Sequence, residues 1–237
     1  MINVLLAVVV GAAAGAALRP VVVALAVPPG GQAGCPACPP RPAAGPTVLQ
    51  LPPSGCENCP DRLLDAPWWL PPAVTAAAFA AVAAGGATGW YAAAQYWIAF
   101  LGAALMMVDS AVQRLPDVLT FPATVGTLAL LAGAAAEGEP GSLPRAVAVA
   151  VTAGVLFTAF ALGGMGLGDA KLAVSLGALL GWHSWQTAVL ALVLAYLLGA
   201  TVAVLLLLTR HGHRKSTLSF GPFLIIGSLG ATVITST

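Results

Sequence analysis

Long apolar runs separated by short polar or glycine-rich breaks make up most of the chain. A helix needs about 20 predominantly apolar residues to span a bilayer. The pattern therefore predicts an all-α, polytopic integral membrane protein with about eight transmembrane helices, some of them short, and one cytosolic Cys-rich loop. The predicted spans are 4–27, 71–88, 90–112, 118–136, 144–163, 169–182, 184–209 and 218–236.

The composition agrees with a membrane protein. Hydrophobic residues make up 59% of the chain and charged residues 7%, whereas soluble domains carry about 25% charged residues. The net charge of +1 gives no indication of nucleic acid, and we expect no such partner; membrane lipid is the expected surrounding. The first residues have no basic region of the kind that opens a signal peptide, so we expect residues 1–27 to be a retained first transmembrane helix.

The distribution of basic residues predicts the orientation of the chain. If the N-terminus is outside, only Arg145 falls on an outer connection, whereas the other side is rich in basic residues. These are Arg41, Arg62, Arg114, Lys171, Arg210, Arg214 and Lys215. Positive charge favours the cytoplasmic side, so Asp109 and Asp169 are both predicted at the cytoplasmic ends of their helices.

The longest segment without a predicted span, residues 28–70, is rich in Pro and Gly and holds all four cysteines. They form two Cys-x-x-Cys pairs, Cys35 with Cys38 and Cys56 with Cys59. Two such pairs in a cytosolic loop indicate a closed, structural four-thiolate zinc site, and disulfides are disfavoured in a reducing compartment. Redox or unliganded cysteines are the alternative, and the zinc content of the purified protein distinguishes the two.

Two acidic residues at the ends of apolar runs are the candidate functional groups. Asp109 closes one run, and Asp169 follows Gly166-Leu167-Gly168 before the next. A carboxylate at a membrane boundary is costly and marks a functional site or an end cap. The glycines are predicted to adopt conformations closed to other residues and to let another segment come near. The alternative for Asp169 is an ordinary turn and helix N-cap.

Two aspartates that converge could share one proton, because like charges a few ångström apart do not both ionise cheaply. Such a pair can activate water against a peptide carbonyl. The competing interpretations are a small transporter with proton or cation sites at Asp109 and Asp169, which would favour the bilayer midplane, and a non-catalytic assembly protein.

Asp117 is interpreted as a structural residue at the start of the fourth span, and His183, beside Trp182 and Trp185, as part of an interfacial belt.

Two motifs together resemble those of a known family. Asp109 is followed by Pro116-Asp117-x-Leu119-Thr120, and later by Gly166-Leu167-Gly168-Asp169-Ala170-Lys171-Leu172. This order resembles the prepilin peptidases, or type 4 leader peptidases, which are GxGD-type aspartic proteases, over nearly the whole chain. The resemblance implies a membrane peptidase domain at 71–237. Its catalytic residues would be Asp109 and Asp169, supported by Gly166, Gly168, Lys171 and Asp117.

The resemblance also implies substrates and a cosubstrate. The substrates would be type IV prepilin or pseudopilin-like precursors, whose basic leader is removed at the cytoplasmic face of the inner membrane. Many members of the family also N-methylate the new amino terminus with S-adenosylmethionine. Here the family's asparagine-containing motif at the end of the first span is replaced by Gly15-Ala16-Ala17-Leu18-Arg19-Pro20, so the sequence leaves this second activity open.

Overall fold

The computed structural model describes residues 2–25, 68–112, 115–163, 166–208 and 219–236, and every regular element within these ranges is an α-helix. Eight helices occur in this part of the chain. They are α1 (Ile2–Leu25), α2 (Leu70–Ala84), α3 (Gly89–Val112), α4 (Asp117–Ala136), α5 (Leu143–Leu162), α6 (Leu167–Gly181), α7 (Trp185–Leu208) and α8 (Gly221–Ser236).

The prediction of an all-α, multi-pass membrane protein is confirmed. Five helices in the described ranges, α1, α3, α4, α5 and α7, are long and apolar enough to cross a membrane. The others, α2, α6 and α8, have 15, 15 and 16 residues. The second helix ends earlier than predicted, at Ala84, because Gly86 and Gly89 adopt positive φ angles of 68° and 70° that stop the helix before α3 begins.

Helix α3 forms the centre of the molecule. It packs against α1, α2, α4, α6 and α8, and 72% of its apolar window is buried, against 17–33% for the other four long helices. Fully buried alanines such as Ala94, Ala99 and Ala104 line it. Small side chains of this kind let helix backbones approach closely. Such close packing stabilises helix contacts in lipid, where no hydrophobic effect drives helices together.

Neighbouring helices run antiparallel, since each pair in α3–α4, α5–α6 and α7–α8 packs together and only four residues separate α3 from α4 and α5 from α6. The ends of α3 and α5 and the starts of α4, α6 and α8 therefore lie on one side of the bundle. This side, which carries Asp109 and Asp169, is called the aspartate face below. The connections α4–α5 and α6–α7 lie on the opposite face.

Charged side chains cap helix ends on the opposite face. The Glu139 carboxylate accepts hydrogen bonds from the backbone N–H groups of Trp90 (2.6 Å) and Tyr91 (3.0 Å) at the start of α3. Arg145 donates from Nε to the Gly181 carbonyl (2.9 Å) and from Nη2 to the Trp182 carbonyl (2.5 Å) at the end of α6. The helix dipole favours a negative charge at the start of a helix, as with Glu139, and a positive charge at its end, as with Arg145. Both side chains also bond backbone groups that have no hydrogen-bond partner within the helix.

Trp182, the neighbour of His183, lies inside the protein. Its side chain is 1% exposed and fills the space beside Gly141, where a Cβ would collide with the indole. The missing side chain at Gly141 thus creates the room that buries Trp182. His183 is exposed and meets the Tyr91 ring edge-on, with ring centroids 4.4 Å apart.

Replacing Glu139 by alanine is expected to lower the free energy of unfolding by about 1–2 kcal/mol, because two N–H groups at the start of the central helix lose their acceptor. Thermal or denaturant unfolding in detergent micelles measures the change. Glu137→Gln, which alters an exposed acid of the same connection, is the control and should change stability little. Equal stability of the parent and the Glu139→Ala variant would contradict the capping role.

Candidate active site

Asp109 and Asp169 are both buried on the aspartate face. Asp109 lies in the last turn of α3 and is 4% exposed, and Asp169 lies in the first turn of α6 and is 6% exposed. Helices α3 and α6 are in contact, so the two carboxyl groups come from neighbouring elements. The burial of two acids at one end of a bundle must be offset by favourable interactions or serve a function, because ionised groups are costly to desolvate.

Gly221, the first residue of α8, lies between the two acids. A Cβ placed on Gly221 would be 2.5 Å from Oδ2 of Asp109 and 3.7 Å from Oδ1 of Asp169. Both distances are measured from the same Cβ position. Oδ2 of Asp109 and Oδ1 of Asp169 are therefore no farther apart than the sum of 2.5 Å and 3.7 Å. One water molecule or one peptide carbonyl can therefore lie within reach of both groups.

The two carboxyl groups differ in their hydrogen bonds. The Ser219 hydroxyl donates to Oδ2 of Asp109, and the backbone N–H of Gly221 also donates to this carboxyl. Oδ1 of Asp169, in contrast, is buried and has no hydrogen-bond partner among the described residues. An unpartnered buried carboxyl oxygen is rare in a folded protein and points to a functional role.

The prediction for the glycines before Asp169 is wrong for the backbone conformation and confirmed for the close approach of another segment. Gly166 has φ −67° and ψ 134°, a conformation open to any residue, so the expectation of a special backbone conformation is wrong there. Gly168 does permit a close approach, because a Cβ on it would lie 2.8 Å from Cδ1 of Leu115. Leu115, in the connection between α3 and α4, can thus pack directly on the start of α6.

Asp169 is also not the N-cap of its helix. The N-cap is Gly166, and no side chain caps this end. The backbone N–H of Asp169 donates to the Gly166 carbonyl at 3.1 Å, which places Asp169 inside the first helical turn. Its carboxyl oxygen Oδ1 lies 3.7 Å from the position that a Cβ on Gly221 would take.

Asp117 and Lys171 lie on the aspartate face but outside the buried pair. Their side chains form an ion pair between α4 and α6, and 72% of the Asp117 side chain and 52% of the Lys171 side chain are exposed. A pair this exposed contributes at most about 1 kcal/mol to stability. Its geometric effect is to join the starts of two helices beside Asp169.

Ser219 and Gly221 contact the two acids without having been predicted as site residues. The signal available in the sequence is the Ser219-Phe220-Gly221-Pro222 break just before the last apolar run. Such a break predicts a turn and a helix start. It does not indicate that the turn meets Asp109, because the two residues are 110 positions apart.

The cysteines Cys35, Cys38, Cys56 and Cys59 lie outside the described residues, as do His211 and His213. Within the described ranges, no group of three or more His, Cys, Asp or Glu residues could hold a metal ion. The zinc site and the use of S-adenosylmethionine therefore stay predictions from the sequence.

Part of this chain is similar to a known protein family and to several curated proteins. Residues 96–204 match the model of the type IV leader peptidase family. A protein of Aeromonas hydrophila named prepilin leader peptidase/N-methyltransferase is 35% identical over 177 residues, which is 72% of this chain and 59% of the relative. A protein of the same name from Pseudomonas putida is 37% identical over 131 residues, 52% of this chain and 43% of the relative.

The chain thus spans about three-fifths of the length of the first of these curated relatives. No solved structure matches the chain. The matched segment contains both buried aspartates, and the resemblance noted from the two motifs is confirmed. Through residues 96–204, the chain is similar to the type IV leader peptidase family.

Proposed function

We propose that this protein is a membrane aspartic endopeptidase that removes the leader peptide from type IV prepilin-like precursors at the cytoplasmic face of the inner membrane. The observation that carries the proposal is the meeting of two buried carboxyl groups at Gly221. The family match supports the choice of substrate, since its description and the names of the relatives both refer to leader peptides.

The chemistry of hydrolysis suits such a pair. One ionised carboxylate takes a proton from water while the water oxygen attacks the scissile carbonyl carbon, and the protonated partner gives its proton to the carbonyl oxygen. The resulting tetrahedral diol collapses when the C–N bond breaks. The leaving nitrogen then receives the proton held by the first carboxyl, and the second carboxyl regains a proton from a diol hydroxyl. The pair returns to its starting state.

The position of the pair supports a peptidase over a transporter. Both aspartates lie at helix ends on one face, whereas transporter sites are expected near the bilayer midplane, at broken helices. A pair of acids at the cytoplasmic surface would also attract the basic leader of a prepilin. The apolar segment that follows the leader could remain in lipid while the cleavage site reaches the aspartates.

Mass spectrometry of a reconstituted reaction tests the proposal. The purified protein in lipid vesicles is mixed with a prepilin-type substrate and S-adenosylmethionine. We expect the substrate to lose its leader peptide. A product heavier by one methyl group would add N-methylation, the second activity in the relatives' name. An intact substrate in the presence of correctly folded protein would overturn the peptidase proposal and favour a transport or assembly role.

A further inference from the structure

Ser219 is held in a defined position beside Asp109. The next residue, Phe220, packs its ring against Tyr196 of α7, with centroids 4.9 Å apart, and against Phe157 of α5, with centroids 6.4 Å apart. The Phe220 carbonyl accepts the first backbone hydrogen bonds of α8, from Phe223 (3.1 Å) and Leu224 (3.2 Å). Phe220, the residue after Ser219, is therefore anchored both by its ring and by its carbonyl group. This anchoring fixes the segment that presents the Ser219 hydroxyl.

The hydroxyl makes the two acids unequal. Asp109 accepts hydrogen bonds from Ser219 and from the backbone of Gly221, and donors of this kind stabilise the charged form of a carboxyl group. Oδ1 of Asp169 accepts none within the described part of the chain. A buried oxygen without a donor is better suited to a neutral carboxylic acid than to a carboxylate.

We propose that Ser219 is a positioning residue that holds Asp109 as the ionised base of the pair and leaves Asp169 to carry the shared proton. This inference rests on the proposed peptidase function. Asp109 takes the proton from the attacking water, and Asp169 gives its proton to the scissile carbonyl oxygen. When the C–N bond breaks, Asp109 returns its proton to the leaving nitrogen and Asp169 regains one from the diol.

Within the described ranges, no basic side chain forms an ion pair with the Asp109 carboxyl. The helices packed against α3 carry Asp169 and Lys171 on α6, Asp117 on α4 and Arg19 on α1, and the described residues of α2 and α8 carry no charge. Lys171 is paired with Asp117. The hydrogen bonds that Asp109 accepts thus come from the segment that opens α8.

The test compares Ser219→Ala with Ser219→Thr in the cleavage assay, in the full-length protein in lipid vesicles. We expect Ser219→Ala to lower kcat by about 10- to 100-fold, the effect of losing one hydrogen bond to a charged group, with KM changed less than about twofold. The acidic limb of its pH–rate profile should move to higher pH, because the carboxylate has lost a donor. Ser219→Thr, which keeps a hydroxyl, should restore most of kcat.

Ser228→Ala is the matched control. Ser228 is a buried serine of α8, the helix that Ser219 precedes, and its hydroxyl donates to the Ile225 carbonyl at 2.8 Å. Its removal should leave kcat and the pH profile unchanged. A parental kcat and pH profile for Ser219→Ala, or a Ser219→Thr variant no better than Ser219→Ala, would overturn the inference. A merely structural role would change stability without moving the pH profile.

An infrared titration separates this inference from the proposed function. The carbonyl stretch of protonated carboxyl groups is followed against pH in the parent, Ser219→Ala and Asp109→Asn proteins, without substrate. We expect Ser219→Ala to shift the titration that Asp109→Asn removes. If the parent cleaves no prepilin-type substrate, the peptidase proposal fails while this titration still decides the role of Ser219; an unchanged titration overturns it.

Discussion

Asp109→Asn and Asp169→Asn are each expected to reduce leader cleavage by about 10²- to 10⁴-fold, the usual contribution of a positioned acid or base. Asparagine preserves the size of the side chain but cannot take a proton from water or give one to a carbonyl oxygen. Because the two carboxyl groups act as a unit, the double variant should be little worse than either single one. Quantitative mass spectrometry of the released leader measures the rates.

Glu137→Gln provides the matched acid-to-amide control, since Glu137 is exposed on the opposite face. It should retain the parental rate. Cleavage within tenfold of the parent in either aspartate variant would contradict an aspartic mechanism. If the parent instead shows solute uptake that the same variants abolish, the pair serves transport.

The helices and the two acids were predictable because their signals are local. Five of the eight described helices are long and apolar enough to indicate a span without knowledge of the rest of the chain. Asp109 and Asp169 stand out because each interrupts an apolar pattern at a helix end. The number of spans between them predicts that both ends lie on one face. Their convergence also requires the contact between α3 and α6, which no local pattern indicates.

The parts that the sequence did not reveal depend on contacts between distant residues. Ser219 reaches Asp109 across 110 positions, and Glu139 caps α3 across 49. Neither serine nor glutamate has a local pattern that names its partner. The burial of Trp182 likewise depends on Gly141, a residue from another connection, whereas a tryptophan near a span end by itself indicates an interface.

The glycine predictions show a related limit. A glycine in a motif indicates either an unusual backbone conformation or a close approach, and the sequence cannot distinguish these. At Gly168 the reason is the approach of Leu115. The described glycines with positive φ, Gly86, Gly89 and Gly138, lie away from the aspartates, where they end or begin helices.

Gly221→Ala is expected to separate activity from stability. Its Cβ would lie 2.5 Å from Oδ2 of Asp109, so the carboxyl group must rotate away. That rotation moves a side-chain end and no backbone, and Gly221 does not adopt a positive φ that alanine would resist. The loss of the Ser219 hydrogen bond is offset by the lower conformational entropy that alanine gives the unfolded chain. The free energy of unfolding should change by less than about 1 kcal/mol. The cleavage rate should fall about 10²-fold, the cost of misplacing a reacting group by about 1 Å.

Gly230→Ala in the same helix is the control, since its Cβ would meet Cδ1 of Leu194 at an ordinary 3.5 Å. It should retain both stability and cleavage. Thermal unfolding and the leader-release assay on the same preparations measure the two effects together. A Gly221→Ala protein that cleaves at the parental rate would show that Asp109 does not need the position beside Gly221. A variant that unfolds would show that the added methyl group displaces backbone instead of the Asp109 side chain, and the close fit at Gly221 would then serve the packing of α8.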